Sequence, residues 1–385
     1  MTLPHPIGGV EASELDDAIL AVVDDVIEAL TSAPAGDAAG ASGQVQEAPT
    51  DPLTFLTFAE EQGWSDGLPL IVPTVDRVEA AVAASGVAAG TSLGIVPPSN
   101  RTAPIEAVAA NAVMAGCLPE VMPVVVAAVR AMLAPDFNLQ ALATTTHPVT
   151  PLVMVHGAVT DRLGFNGAAN VFGQGNRANG TVGRAIRLII QNIGGAIPGE
   201  TDRATQGSPT KYTYCMAENA DESPFPTFHE RRGGGQTGAV TVFGGEGPHN
   251  VNDHGSNDAH GLLRTIAGTM ATLGCNNVYT RGPMLVVLGP EHAAVMAREG
   301  YDADKVAAAL AEMALADVSD VSAGNMERYI RISPHVFAEL PADNKVTVVD
   351  GPEDILVVVA GGPGKHSVVV PSFGETVPTT VDVDP

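Results

Sequence analysis

Leu152-Val153-Met154-Val155-His156-Gly157 is an apolar run closed by glycine, and the chain contains three more of the kind. They are Ala239-Val240-Thr241-Val242-Phe243-Gly244, Met284-Leu285-Val286-Val287-Leu288-Gly289 and Ile355-Leu356-Val357-Val358-Val359-Ala360-Gly361. Short, valine-rich runs bounded by glycine read as strands, and their unbroken apolarity means that both faces are covered. Around them lie segments of helical period at 53–62, 104–115, 119–133, 181–193, 262–271 and 303–316. Pro104 and Pro119 stand where a helix tolerates proline, in the first turn. Strands alternating with helices specify an α/β fold, with mainly parallel or mixed sheets flanked by helices. In such sheets ligands sit beyond the carboxyl ends of the strands. The loops after the four runs therefore rank the polar residues.

A length of 385 residues suits two lobes. The expected division is an N-terminal helical arm at 1–32, a flexible linker at 33–52, a first α/β lobe at 53–200 and a second at 201–385 carrying the histidine-rich loops. The arm rests on Leu15, Ile19, Val22, Val23, Ile27 and Leu30, spaced for one face of a helix. No lysine or arginine precedes Arg77, so this acidic arm is expected to dock on a neutral or basic surface of its own oligomer or of a partner protein. A net charge of −25 excludes binding to nucleic acid or to an anionic membrane, since no basic stripe could neutralise phosphates. Cys117, Cys215 and Cys275 form no CxxC pair and no even disulfide framework, which predicts a reducing, cytoplasmic setting.

Three of the four runs lead into a glycine/proline turn carrying a histidine. The first is Gly245-Glu246-Gly247-Pro248-His249-Asn250-Val251-Asn252-Asp253-His254-Gly255, the second Pro290-Glu291-His292, the third Gly362-Pro363-Gly364-Lys365-His366-Ser367. This is either a weak internal repeat or one sheet placing its polar loops on one side. Histidine and carboxylate in one loop can ligate a divalent metal or form a general-base pair. His249, Asp253 and His254 are accordingly the expected catalytic set and the ligands of any metal, although His-x4-His-x5-His is no established metal signature. His254 would be the base, with Asp253 fixing its imidazole. Cys117, two residues before the Pro119 helix, is expected to face a positive helix end and ionise readily. The glycine-rich 173–184 segment opens a helix, where main-chain amides and Arg177 could hold an anion. Asn176 and Arg177, with Asn166, His147, Glu291, His292, Lys365 and His366, complete the expected substrate-binding set. No nucleotide-cofactor signature is present: the segment lacks Gly-Lys-Ser/Thr and a strict GxGxxG after a strand.

Three segments, 112–120 (AVMAGCLPE), 211–219 (KYTYCMAEN) and 246–255 (EGPHNVNDHG), resemble those of uncharacterised bacterial proteins described as UGSC-like. The resemblance covers roughly residues 53–374. The Cys-Gly-Ser-Cys motif itself does not occur here, so the resemblance implies no thiol-redox role and supplies no activity. The residues alone point to an enzyme that cleaves a small polar or anionic organic molecule by hydrolysis or lyase chemistry. A Cys nucleophile or a metal-bound water would attack, with a His/Asp base. A binding or assembly protein that docks through its arm, and a thiol oxidoreductase built on Cys117 and Cys215, are the other two readings.

Overall fold

A computed structural model describes residues 12–31, 45–235 and 237–384. Residues 1–44 and 45–385 are separate compact units. In the first, the expected single helix is two, Ala12–Leu20 and Val23–Thr31. Asp24 and Asp25 fall in the first turn of the second helix, where the dipole favours negative charge. Residues 33–44 of the expected linker and the remainder of the arm lie outside the described residues; 45–50 carry no helix or strand, and Asp51 caps a helix that begins at Pro52.

Among its described residues the second unit carries twelve strands. Strands β1 (Ser92–Val96) and β2 (Arg101–Pro104) make a small antiparallel pair. β3 (Thr150–His156), β4 (Cys215–Ala217) and β5 (Ala239–Gly245) follow, then β6 (His249–Asn252) and β7 (Met284–Leu288). β8 (Leu315–Asp317) and β9 (Lys345–Thr347) form a second small pair, followed by β10 (Ile355–Val359), β11 (His366–Val370) and β12 (Thr379–Asp382). Two four-stranded sheets result, in the orders β12-β5-β3-β4 and β10-β7-β11-β6.

Side chains alternate with the two-residue period of a strand. Leu152, Met154, Met216, Phe243, Leu285, Val287, Leu356, Val358 and Val370 form one buried cluster, drawn from both sheets. Val153, Val155, Val240 and Val242 point the other way and pack with helices Ile105–Ala115, Met122–Met132 and Arg177–Asn192. Met284, Val286, Val357 and Val359 do the same against helices Ala259–Met270 and Ala303–Met313. The body is four layers, helix–sheet–sheet–helix. The α/β class is as the sequence reading has it, and of its two alternatives, mainly parallel or mixed, the sheets are mixed; each is covered on one face by the other sheet and not by helices on both. Nor does the chain divide near residue 200, because β4, β5 and β12 all pair into the sheet of β3.

The two sheets repeat one pattern. Each central strand has a parallel neighbour on one side and two successive antiparallel strands on the other. Across the first sheet Cys215, Val153, Val242 and Thr379 stand in one row; across the second the row is Val357, Val286, Val369 and His249. The fourth strands are exchanged. β6 follows β5 in the chain but pairs with β11, and β12 follows β11 but pairs with β5. The exchange happens where Gly245 bridges Ser372. Gly245 fits because a Cβ there would come within 2.7 Å of Val370. Asn277, wholly buried, secures the crossing: its Oδ1 accepts from Ser372 N–H at 2.9 Å and its Nδ2 donates to the Gly282 carbonyl at 3.0 Å. Asn277→Leu should lower the unfolding free energy by about 1–3 kcal/mol for each polar group it orphans. Urea melts would measure it, and a change below ~0.5 kcal/mol, the scale of an ordinary surface substitution, would contradict this role.

Candidate functional site

A cleft of about 230 Å³ opens at the carboxyl ends of β7 and β10. Val287, Ala360 and Val368 line it from the sheet, Val171 and Phe172 from the facing loop, and Gly361, Gly362, Pro363 and Gly364 form a turn along one edge. The turn is pinned from both sides: Gly361 N–H donates to the Gly167 carbonyl at 2.8 Å and Gly364 N–H to Glu291 Oε1 at 2.7 Å. Glycine is needed at 289, since a Cβ would lie 2.2 Å from the His366 carbonyl oxygen. The repeat explains the hollow. Three places beyond the row, the second sheet has Gly289 and Ala360 where the first has His156 and Glu218, and one place before it Val368 stands for Thr241.

At the mouth stands His366, a lining residue. Its Nε2 is 3.2 Å from Nε2 of His254, with the rings edge to face. Two Nε2 atoms this close share a hydrogen, one imidazole donating to the lone pair of the other. Lys365 Nζ stands beside the pair, donating to the His254 carbonyl at 3.2 Å and to Asn257 Oδ1 at 3.4 Å. His254, His366, Lys365 and Glu291 are therefore brought together from loops 112 or fewer residues apart.

Asp253 does not orient an imidazole. Its carboxylate accepts from Gly255 N–H, Ser256 N–H, Ser256 Oγ and Thr265 Oγ1, at 3.2, 2.8, 2.8 and 2.7 Å, and so builds the loop that presents His254. Burial works to raise this carboxyl, but those hydrogen bonds outweigh it and hold it at about 2. His249 is exposed on β6, paired opposite Val369, while His366 pairs opposite Asn252 at the other end of that ladder. The expected metal set of His249, Asp253 and His254 is thus not assembled, and among the described residues no group of three or more His, Cys, Asp or Glu is placed to hold a metal ion. His292 is buried behind the cleft on the helix side. Its Nε2 faces the Asp253 carbonyl at 3.0 Å, an acceptor only, so Nε2 carries the hydrogen and Nδ1 accepts from Ser367 Oγ at 2.8 Å. Burial lowers its pKa, which suits a neutral imidazole locking β11 to the β6 loop.

The other expected residues have structural duties. Arg177 Nε and Nη2 both donate to the Gly116 carbonyl, at 3.1 and 2.9 Å, so its fork closes a helix end instead of holding an anion. Asn176 caps its helix, accepting from Asn179 N–H at 2.9 Å. Asn166 folds the 166–169 loop, with Oδ1 accepting from Ala168 N–H and Nδ2 donating to the Ala169 carbonyl; that loop is the wall facing the glycine turn. His147 lies at the opposite end of the first sheet, with Nε2 2.7 Å from Glu246 Oε1 and its ring stacked on Phe373. Cys117 follows the carboxyl end of helix Ile105–Ala115, whose carbonyls oppose a thiolate, while after it the turn Pro119–Val121 leads straight into helix Met122–Met132. Burial pushes its thiol up to about 12 despite the nearby Thr181 hydroxyl and Arg177 guanidinium. The readily ionised thiol expected there is not what the structure holds.

One polar cluster escapes a reading centred on loops. His156 and Glu218 are both buried, Nδ1 to Oε2 2.8 Å, and His156 Nε2 meets Thr241 Oγ1 at 3.0 Å. Glu218 also accepts the Phe228 N–H at 3.0 Å. The signal was a histidine ending an otherwise apolar run. Comparisons of this chain with protein-family models, curated proteins and solved structures found no match.

Two outcomes follow from these contacts. Glu218→Ala leaves a buried imidazole and an amide without an acceptor and should cost roughly 3–5 kcal/mol of stability, read from denaturant melts. The Asp253 carboxyl has a lower pKa folded than its ordinary 3.8, so its stabilising effect is present above that value and fades as pH falls toward 2. Asp253→Ala should therefore be less stable than the parent at neutral pH, with the gap in melting temperature narrowing between pH 4 and pH 2. A gap independent of pH would refute this.

Proposed function

We propose that this chain is an enzyme cleaving a small organic molecule by hydrolysis or elimination in the cleft between the glycine turn and the 166–172 loop, with His254 and His366 as its acid–base pair. The observation that carries the reading is the 3.2 Å approach of the two Nε2 atoms at the cleft mouth. Neither ring depends on a carboxylate, so one can take a proton from water or from a substrate carbon while the other returns one to the leaving group. A cysteine nucleophile fits poorly, because burial pushes Cys117 up to about 12 and raises Cys215 as well. The same shifts weigh against thiol exchange between them. The Lys365 ammonium beside His254 places a positive charge next to the two rings, which works against their holding a metal ion.

The test is turnover of a panel of carboxylic esters, lactones and hydroxy acids by the full chain. His254→Gln and His366→Gln should each cut kcat by about 10²–10⁴-fold with melting temperatures within a few degrees of the parent. Cys117→Ser and His249→Gln should leave it nearly unchanged. Full turnover in both histidine variants would sink the proposal.

A second role belongs to the N-terminal unit. Leu20 is 69% and Ile19 42% exposed on adjoining positions of Ala12–Leu20, and isolated helices of nine residues are marginal in water without a surface to cover them. We propose that they dock on a further copy of the chain or on another protein. A chain beginning at Asp51 should stay folded and form a smaller assembly by light scattering; unchanged mass would count against docking on another copy.

A further inference from the structure

We infer that the cleft takes a small amphipathic carboxylate, its apolar body between Val287, Ala360, Val368 and Phe172 and its head at His366, His254 and Lys365. This rests on the cleft being the working site.

The walls decide the body. Where the first sheet fills the corresponding space with His156, Glu218 and Thr241, the second has Gly289, Ala360 and Val368. Every polar side chain of the counterpart is replaced by hydrogen, methyl or isopropyl, so the hollow is dry-walled. Val171 and Phe172 close it from the facing loop. A volume of about 230 Å³ falls below the range for drug-sized ligands and limits the body to a short chain or single ring.

The rim decides the head. In a chain of net charge −25, Lys365 and two imidazoles converge on one edge. The neighbouring acids are engaged: Asp253 accepts four hydrogen bonds within its own loop, and Glu291 holds the Gly364 amide. Lys365 is held only by contacts of 3.2 and 3.4 Å, and an ammonium has three hydrogens to donate. Arg298, the neighbouring guanidinium, has its Nη2 donating to the Asn257 carbonyl at 2.8 Å, so Lys365 meets the head as a point charge, which matches a single negative charge better than a doubly charged phosphate.

The full chain would be titrated with hexanoate, hexan-1-ol and hexylamine, followed by ligand-observed NMR. Hexanoate should bind roughly tenfold more tightly than the alcohol, with the amine weakest, in keeping with a charge-assisted hydrogen bond. Lys365→Gln should remove most of that preference and leave hexan-1-ol binding unchanged. Val368→Phe fills the hollow and should abolish binding of all three probes; Phe172→Ala, at a partly exposed wall residue, should weaken all three and serves if the first fails to fold. Equal binding of hexanoate and hexan-1-ol, both lost on filling the hollow, would overturn the carboxylate inference and leave the cleft standing. Binding indifferent to both wall substitutions would overturn the cleft as the site, and the inference with it.

Discussion

The antiparallel bridge of Gly245 to Ser372 is the point on which both sheets depend. There the chain leaving β5 and the chain leaving β11 pass each other, and each supplies the outer strand of the other's sheet. Glu246 N–H donates to the Pro371 carbonyl and Phe373 N–H to the Gly244 carbonyl, so the two passing segments are hydrogen-bonded to each other. Neither sheet is complete without a strand from beyond the crossing. Cooperative folding of residues 45–385 as one unit is the expected consequence, because a lone sheet would expose both its missing edge and the inner face filled by Phe243, Leu285 and their neighbours.

Repetition of one strand pattern with different chemistry gives the molecule its asymmetry. In the first sheet the end of the central strand is sealed by the His156–Glu218 pair, with His229 stacked on His156 and Phe228 tilted against it. A buried pair of this kind costs desolvation that good geometry must offset, and breaking it is worse than never having it. The second sheet spends glycine, alanine and valine at the same places and is left hollow. At that hollow two polar loops converge, since the turn after β10 and the loop after β6 meet there.

Much of this was legible in the residues. All four apolar runs are strands, and the helices fall close to their expected places. The second sheet as a cover was not legible, because burial against helices and burial against strands leave the same apolar pattern. β6 and β12 escaped notice as four-residue edge strands with exposed polar positions, and β11 as a strand that begins inside a glycine turn. His254 and His366 could each be singled out by their loops, but their meeting depends on the exchanged strand, since β6 delivers the His254 loop alongside β11. Arg177 misled because its acceptor is a main-chain carbonyl, which no side-chain motif can advertise. Cys117 misled because a helix ends before it as well as one starting after it, and burial then decides the thiol.

The same placement separates the two histidine locks by function. His292 and His156 each have both ring nitrogens engaged and are buried, so any proton they exchange must pass through fixed partners. His254 and His366 are engaged chiefly with each other, at a mouth open to solvent. A proton added to either ring costs no buried hydrogen bond, and one taken away is replaced from water. Rings held by carbonyl, hydroxyl and carboxylate fix the frame, whereas a pair held by a single shared hydrogen can change its protonation without the frame moving. That contrast, more than the number of histidines in the loops, is what supports the cleft mouth as the proposed place for acid–base work.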